Sequence, residues 1–296
     1  MSTRTEREQI TSYGTSLLRT VVEEDDGHYL WTRRPGESAP AGFRALNPET
    51  IGVLEGAGRG TRTHMVVGTG DDSVRHYTVG YWESAAFGVL REGSGICPDL
   101  VEPLRGLGAA LRTAHGATPA AEAGPPPGLL RVTDWLAGRS EDSVASHAAQ
   151  LLSTRLGVEN QRKLLSWCEE AIEDHSATLH GAPGLGALIL SPETGRAEVL
   201  TGEDVSVGPA AWDIGWIVGE LLEFQWRTGT ESRDPAWRSL VTAVIDGYGS
   251  HPGAALDRMA ILRITLHLHD FLTFVGWHEV EFAQTSDFLR FLADRT

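Results

Sequence analysis

Residues 179–190 read LHGAPGLGALIL, residues 200–209 read LTGEDVSVGP, and residues 211–216 read AWDIGW. Two short apolar runs in this region, at 188–190 and 197–200, flank a turn sequence that contains proline and glycine, and this pattern predicts a β-hairpin. The apolar residues that follow the second run have the spacing of a helix. The stretch therefore predicts a glycine-rich loop, a hairpin and a helix in direct succession.

The chain ahead of residue 82 is predicted to be mostly β-structure. Residues 1–25 are interpreted as a polar start and a helix, and residues 29–32 as a short strand. Residues 51–82 alternate apolar runs with glycine, and the two runs around Gly70 predict a second hairpin.

The rest of the chain is predicted to be mostly helical. An Ala-, Pro- and Gly-rich segment at 117–127 is interpreted as a linker or long surface loop. Apolar residues at helical spacing predict helices at 101–115, 160–179, 236–248 and 255–277.

This order of elements predicts an α+β protein with two lobes. We expect a small β-rich lobe over residues 1–95 and a larger helical lobe over residues 96–296, with the boundary between residues 82 and 105. The length of 296 residues fits one large domain or two modest lobes.

Composition and charge exclude several classes of function. The 40 acidic and 25 basic residues give a net charge of −15, which repels phosphate backbones and argues against nucleic-acid binding. Lys163 is the only lysine and lacks a neighbouring glycine, so a P-loop is excluded. Two cysteines cannot build a disulfide framework. The chain starts with polar residues and has no apolar signal core there, and it has no long apolar stretch elsewhere. These two observations predict a cytoplasmic protein outside the membrane.

Several motifs resemble the aminoglycoside phosphotransferase and choline kinase-like family, whose fold is that of protein kinases. The motifs are HG at 180–181, the apolar strand after it, GP at 208–209 and WDI at 212–214. The helix at 104–115 is similar to a Leu-Gly…Leu-His helix of that family. The match covers residues 100–225, and it implies a two-lobed kinase-like fold and a phosphotransferase ancestry.

The departures from the family pattern fall on the residues that carry its chemistry. The resemblance implies that Ala182 stands in the position of the catalytic Asp, Ala187 in that of a metal-binding Asn, and Thr201 in that of a metal-binding Asp. No lysine precedes residue 163, so the strand lysine that holds the phosphates has no counterpart. Phosphoryl transfer depends on positioning and on charge neutralisation by Mg²⁺ and basic groups, and losing these parts together should abolish it.

Four residues are candidates for relocated chemistry. His180 belongs to the loop itself, and Glu203 and Asp204 are the best candidates for a relocated metal site. Asp213 is a candidate too, although the resemblance implies a structural role in which it holds the catalytic loop in place.

Five residues are candidates for contacts with a nucleotide. Arg75, on a predicted strand, is a substitute for the lysine. Gly58 and Gly60 could form a phosphate-cradling loop, as could Gly184 and Gly186, although glycines at such places more often form ordinary turns.

Two functions from different classes follow. The first is a degenerate kinase-fold subunit that binds a partner or peptide. The resemblance implies a role beside a lyase in class V lanthipeptide or thioamitide biosynthesis, where Ser and Thr are dehydrated. The second is a noncanonical ATP-dependent phosphotransferase acting on a peptide Ser/Thr or a small-molecule hydroxyl, in which Glu203, Asp204 or Asp213 holds Mg²⁺. A stand-alone antibiotic-resistance kinase ranks third, because the base and metal ligands are missing.

Overall fold

The structure is a computed structural model, and it describes residues 7–92, 100–119, 123–140, 142–229, 235–250 and 253–296. The order of elements begins with β1 (Glu8–Gly14), β2 (Leu18–Asp25), β3 (His28–Pro35), α1 (Pro48–Gly56), β4 (Thr63–Val67), β5 (Thr69–Asp71) and β6 (Val74–Val79). It continues with α2 (Ala85–Glu92), α3 (Val101–His115), α4 (Pro127–Leu136), α5 (Ser143–Leu156), α6 (Val158–Glu173) and β7 (Ala177–Leu179). The last elements are β8 (Leu188–Leu190), β9 (Ala197–Thr201), β10 (Ser206–Gly208), α7 (Ala211–Arg227), α8 (Pro235–Tyr248), α9 (Ala254–Phe274) and α10 (Glu279–Ala293).

The N-terminal lobe, formed by β1 to β6 and α1, contains a five-stranded antiparallel sheet in the order β1-β2-β3-β6-β5. Val22 on β2 lies opposite Trp31 on β3, which in turn lies opposite Tyr77 on β6. All three side chains are buried on one face of the sheet. Alternation of buried and more exposed residues in β2 and β3 is what a sheet with one covered face requires.

Two sequence predictions for this lobe are wrong. Residues 8–25, predicted to end in a helix, form β1 and β2, because the second strand contains three consecutive β-branched residues, Thr20, Val21 and Val22. Residues 51–54, predicted as β-structure, lie in helix α1. The side chain of Asn47 accepts a hydrogen bond from Thr50 N, and Pro48 occupies the first turn, so the helix has a complete start signal.

The C-terminal lobe is formed by α2 to α10 and β7 to β10. A second sheet joins this lobe to the N-terminal lobe. Its order is β4-β9-β8, with β4 parallel to β9 and β8 antiparallel to β9. The β8–β9 pair is the hairpin predicted around residues 192–195, so that prediction is confirmed. The turn predicted at Gly70 is present, between β5 and β6, but the pairing predicted there is wrong for the apolar run at 63–67. That run is β4, and it pairs with β9 instead of β6.

Helices build most of the C-terminal lobe and confirm the predicted α+β class. Helices α7 and α9 pack closely, since Gly215 and Gly219 leave room for Met259 and Ala260 of the facing helix. The helix predicted at 160–179 ends earlier, at Glu173, and residues 177–179 form β7 against β10. The helix predicted at 255–277 ends at Phe274.

Some predictions fall partly outside the described residues. The predicted lobe boundary at residue 95 lies within 93–99, and the predicted linker at 117–127 includes 120–122, and neither segment is described. Among the helices that are described, none combines the length and the apolar character that a membrane crossing requires.

Candidate functional site

The crevice between the five-stranded sheet and the β8–β9 hairpin is filled by side chains. The sheet contributes Val22, Trp31, Tyr77 and Val79, and the opposite wall contributes Ala187, Ile189 and Leu200. Each of these seven side chains is at most 7% exposed. Close packing of this kind leaves no apolar surface for a ligand to cover.

Trp31 is the largest member of this cluster and is 0% exposed. Its indole Nε1 donates a hydrogen bond of 3.0 Å to the carbonyl oxygen of Tyr81, which lies in the segment linking the two lobes after β6. Tyr13 meets the indole edge-on, with ring centroids 6.4 Å apart. The ring of Trp31 therefore packs against other side chains, and its N–H has a hydrogen-bond acceptor, both inside the protein.

A buried ion pair lies next to Trp31. The guanidinium of Arg33 on β3 donates to both carboxylate oxygens of Glu203, at 3.2 and 3.3 Å, and to Gly186 O at 2.7 Å. The hydroxyl of Tyr77 donates to Glu203 Oε1 at 2.7 Å. Burial opposes the charged form of Arg33, but the nearby Glu203 carboxylate raises the pKa of that guanidinium. Burial, together with Glu203, raises the pKa of Tyr77, so the phenol stays a donor.

Asp213 holds the glycine-rich loop in place. Its carboxylate accepts hydrogen bonds from His180 N at 2.7 Å and Gly181 N at 2.9 Å, and it lies 3.0 Å from His115 Nε2. Asp213 is 0% exposed, so it has no access to a ligand. The candidate catalytic role is corrected to a structural one, the alternative that the resemblance implied.

His180 also has a structural position. Its side chain is 5% exposed, and its Nε2 lies 3.0 Å from Leu200 O. Burial lowers the pKa of His180, which favours the neutral imidazole. The next residue, Gly181, has a φ of +97°, and a Cβ there would lie 2.0 Å from Asp204 O. Only glycine allows this close approach, which fixes the position of Asp204.

The candidate phosphate-binding glycines have other roles in the structure. Gly184 N donates to Ala182 O at 2.8 Å, and Gly186 O accepts from Arg33. Gly58 and Gly60 lie in the turn between α1 and β4, at φ values of +81° and +83°. A Cβ on Gly58 would lie 2.2 Å from Thr63 O, which explains that glycine without a ligand.

Arg75 on β6 is also engaged within the protein. Its Nε donates to Gly202 O at 3.2 Å, and its Nη2 donates to Arg44 O at 2.6 Å. These bonds connect β6 with the loop after β3 and with the turn after β9. The structure therefore assigns Arg75 to loop anchoring, in contrast to the predicted phosphate contact.

Two further sets of hydrogen bonds connect the lobes, one donated by Ser16 and the other by Arg44. Ser16, in the turn between β1 and β2, donates to Phe274 O through both its backbone N, at 3.2 Å, and its Oγ, at 3.0 Å. Arg44 donates to Gly124 O at 2.9 Å and to Pro125 O at 2.8 Å. These bonds hold the N-terminal lobe against the C-terminal lobe.

Asp204 differs from the other candidates because no described residue donates a hydrogen bond to its carboxylate. Partial burial raises the pKa of Asp204 to about 6, although the Arg131 guanidinium acts in the opposite direction. Among the residues that the structure describes, no group of three or more His, Cys, Asp or Glu side chains is arranged to hold a metal ion. Mg²⁺ held by Glu203 and Asp204 would therefore take its other oxygen ligands from substrate phosphates and water.

Asp204→Asn should stabilise the protein in a pH-dependent way. An acid with a raised pKa in the folded state binds more protons there than in the unfolded chain, so unfolding free energy falls as pH rises through about 4 to 6. The ionised form, close to Arg131, Arg44, Glu203 and Asp270, carries this cost at neutral pH. We expect Asn to add roughly 1–2 kcal/mol at about pH 8 and almost nothing at about pH 4. Urea unfolding at both pH values measures this, and equal gains at both would contradict it.

The residues that fill the crevice were missed by sequence reasoning. Trp31 and Arg33 are two residues apart on β3, so they share one face of the sheet. The sequence therefore showed that these two side chains lie on the same face. It did not identify Glu203, 170 residues away along the chain, as the partner of Arg33.

The two-lobed fold is kinase-like, as the sequence predicts. The spectinomycin phosphotransferase APH(9)-Ia, solved with ADP and spectinomycin, superposes with a TM-score of 0.58 at 9% identity, covering 98% of this chain and 93% of its own. The choline kinase LicA from Streptococcus pneumoniae gives 0.55 at 10% identity, covering 95% and 94%. A Plasmodium vivax ethanolamine kinase gives 0.58 at 9% identity, covering 98% and 83%.

These similarities establish the fold alone. The chain matches no protein family model, and a search of curated proteins finds no match to its sequence. In protein kinases the lysine that contacts the phosphates lies on the third strand of the N-terminal lobe. In this chain the third strand carries Arg33, and its guanidinium is bonded to Glu203 and Gly186.

Proposed function

We propose that this protein is a kinase-fold binding subunit that does not transfer phosphoryl groups. The observation that carries the proposal is the position of Trp31. Its buried indole occupies the crevice between the lobes and is hydrogen-bonded to Tyr81 O in the interlobe segment. A nucleotide base that bound between the five-stranded sheet and the β8–β9 hairpin would need the space that this indole fills. Nucleotide binding would therefore require the displacement of a packed aromatic side chain.

The positions expected to carry the chemistry support the same proposal. Thr201 is 0% exposed, and its hydroxyl donates to Val199 O at 2.8 Å, so it does not face an ion. Ala187 is buried in the crevice, where its methyl group can neither bind a cation nor accept a proton. The carboxylate of Glu203 is already paired with the guanidinium of Arg33 and accepts a hydrogen bond from Tyr77.

A noncanonical phosphotransferase is the second candidate, and the unbonded carboxylate of Asp204 is the observation that favours it. One carboxylate supplies few of the six oxygen ligands that Mg²⁺ requires, although substrate phosphates and water could supply others. The second candidate must also explain how a nucleotide enters past Trp31. We therefore rank it below the binding subunit.

The partner that we propose is a peptide-modifying enzyme, such as the lyase of a pathway that dehydrates Ser and Thr. Support for this comes from the sequence resemblance and from the lack of the expected catalytic residues in a kinase-like fold. A lyase gene and a short Ser/Thr-rich precursor gene next to this one would support the assignment. Co-purification of the encoded lyase with this chain would test it directly.

Thermal unfolding with nucleotide distinguishes the two candidates. For the binding subunit, we expect ATP with Mg²⁺ to leave the melting temperature unchanged, because a ligand that does not bind the folded state cannot stabilise it. The spectinomycin phosphotransferase, which binds ADP, is a positive control for the assay. A metal-dependent rise of several degrees that disappears in Glu203→Gln or Asp204→Asn would contradict the proposal and support phosphoryl transfer.

A further inference from the structure

Residues 63–71 form one continuous stretch of chain that belongs to both sheets. Strand β4 pairs with β9 in the sheet that joins the lobes, and strand β5 pairs with β6 in the five-stranded sheet. Only Gly68 separates the two strands. A Cβ on Gly68 would lie 2.7 Å from two ring carbons of Tyr77, so a side chain does not fit where the chain passes from one sheet to the other. This stretch is therefore a second connection between the lobes, in addition to the linker after β6.

The β4–β9 ladder is the part of this stretch that joins the two lobes. It runs for five residue pairs, and side chains of both strands belong to the main hydrophobic core. Backbone hydrogen bonds close it at both ends, from Ala197 N to Arg62 O at 2.8 Å and from Gly68 N to Thr201 O at 2.9 Å. Separating the strands would leave buried backbone donors and acceptors without partners, which costs free energy at each of them.

Helix α3 of the C-terminal lobe holds the start of β4. Thr63 is 0% exposed, and its Oγ1 donates to Pro103 O at 3.1 Å. A Cβ on Gly106, one turn further along α3, would lie 2.2 Å from Thr63 Oγ1. The helix can approach the strand this closely because that position is a glycine. Strand β4 is therefore bound to the C-terminal lobe through its backbone and through a side chain.

The linker between the lobes, residues 80–84, is bonded to the β8–β9 hairpin of the C-terminal lobe. At its start, Gly80 N donates to Glu198 Oε2 on β9 at 2.7 Å. At its end, Ser84 forms an isolated β-bridge with Ile189 on β8. Hinge motion in a two-lobed protein requires a few linker residues to change φ and ψ. Bonds at both ends of this linker oppose such changes.

We infer that the β4–β9 ladder and the bonded linker fix the angle between the lobes, so that the free protein opens only by unfolding as one cooperative unit. A two-lobed protein whose lobes are connected by a linker alone can close by hinge motion. Here, rotation about the linker would shear the ladder, because the ladder joins the same two lobes at a second place. The inference concerns the free chain and does not depend on what the protein binds.

Hydrogen exchange of the full chain at low concentrations of denaturant, measured by NMR, tests this inference. We expect the slowest amides of β4, β9 and helix α9 to have the same protection factor within about threefold, and to share the denaturant dependence of global unfolding. Amides of β4 and β9 that exchange faster than this, with a weaker denaturant dependence, would show that the lobes separate before the protein unfolds. That result would overturn the inference.

Glu198→Ala tests the linker in the same experiment. Because Gly80 is exposed, its amide depends on the carboxylate of Glu198 for protection. We expect exchange at Gly80 to become at least about tenfold faster in Glu198→Ala, as for the loss of a hydrogen bond to a charged acceptor, and Glu198→Gln to retain part of the protection. Glu193→Ala is the matched control, since Glu193 is exposed in the turn of the same hairpin and exchange at Gly80 should not change. Unchanged exchange at Gly80 in Glu198→Ala would contradict a linker that is held at its start.

Discussion

Trp31→Ala is expected to lower the free energy of unfolding by about 4 kcal/mol, the range for a large aromatic residue removed from a packed core. The indole is fully buried between the two lobes, and its loss also leaves Tyr81 O without its donor. The apolar lining of the crevice would then surround an empty space. Urea unfolding followed by circular dichroism measures the change.

The size of this effect has a matched control in the same chain. Trp277 is 38% exposed, so Trp277→Ala should cost much less than the same truncation at a fully buried position. Free indole should raise the melting temperature of Trp31→Ala, because a dry apolar cavity can take up a ligand of the missing shape. If Trp31→Ala is no more destabilising than Trp277→Ala, the crevice is not filled as described.

Arg33→Met is expected to destabilise the protein by about 3–5 kcal/mol, because it leaves the carboxylate of Glu203 buried without its cation. The two side chains are only 8% and 13% exposed, so water cannot replace the lost partner effectively. Tyr77 would remain the one side-chain donor to that carboxylate among the described residues. Denaturant unfolding of the single variant gives this value.

The double variant Arg33→Met with Glu203→Gln tests whether the loss comes from the pair. Gln is neutral and can still accept from Tyr77, so the double variant should be more stable than the sum of the two single changes by roughly 2 kcal/mol. Arg105→Met is a control, since Arg105 is 41% exposed and pairs with exposed acids. Its effect should stay below about 1 kcal/mol. Simple additivity of Arg33→Met and Glu203→Gln would contradict a coupled pair.

Local sequence patterns were sufficient for much of the fold. The hairpin around residues 192–195 has apolar runs on both sides of turn residues, and such a signal depends on neighbours along the chain. The apolar run at 63–67 pairs with β9 instead of β6, because its partner lies far away along the chain. Residues 51–54 were misread because a short apolar run fits a strand or a helix equally well. The helix start at Asn47 and Pro48 was the information that would have corrected this prediction.

The candidate site was predicted only in part, because some of its contacts join residues that are far apart along the chain. The losses at Ala182, Ala187 and Thr201 are visible in the sequence, because each is a residue type that cannot do the expected chemistry. The packing of Trp31 between the lobes is not visible, since it depends on a strand and a hairpin that are far apart along the chain. Arg75 was a reasonable guess from charge, but the sequence does not show that carbonyl oxygens surround it.

The bonds from Ser16 to Phe274 and from Arg44 to Gly124 and Pro125 would affect how this protein meets the partner that we propose. An enzyme of this fold has to admit a substrate and release a product, so its halves must separate in every cycle. We expect lobes that are hydrogen-bonded to each other in this way to separate less readily, so that a partner would meet a more constant surface. Association with such a surface loses little conformational entropy, and a modest contact area can then suffice for recognition.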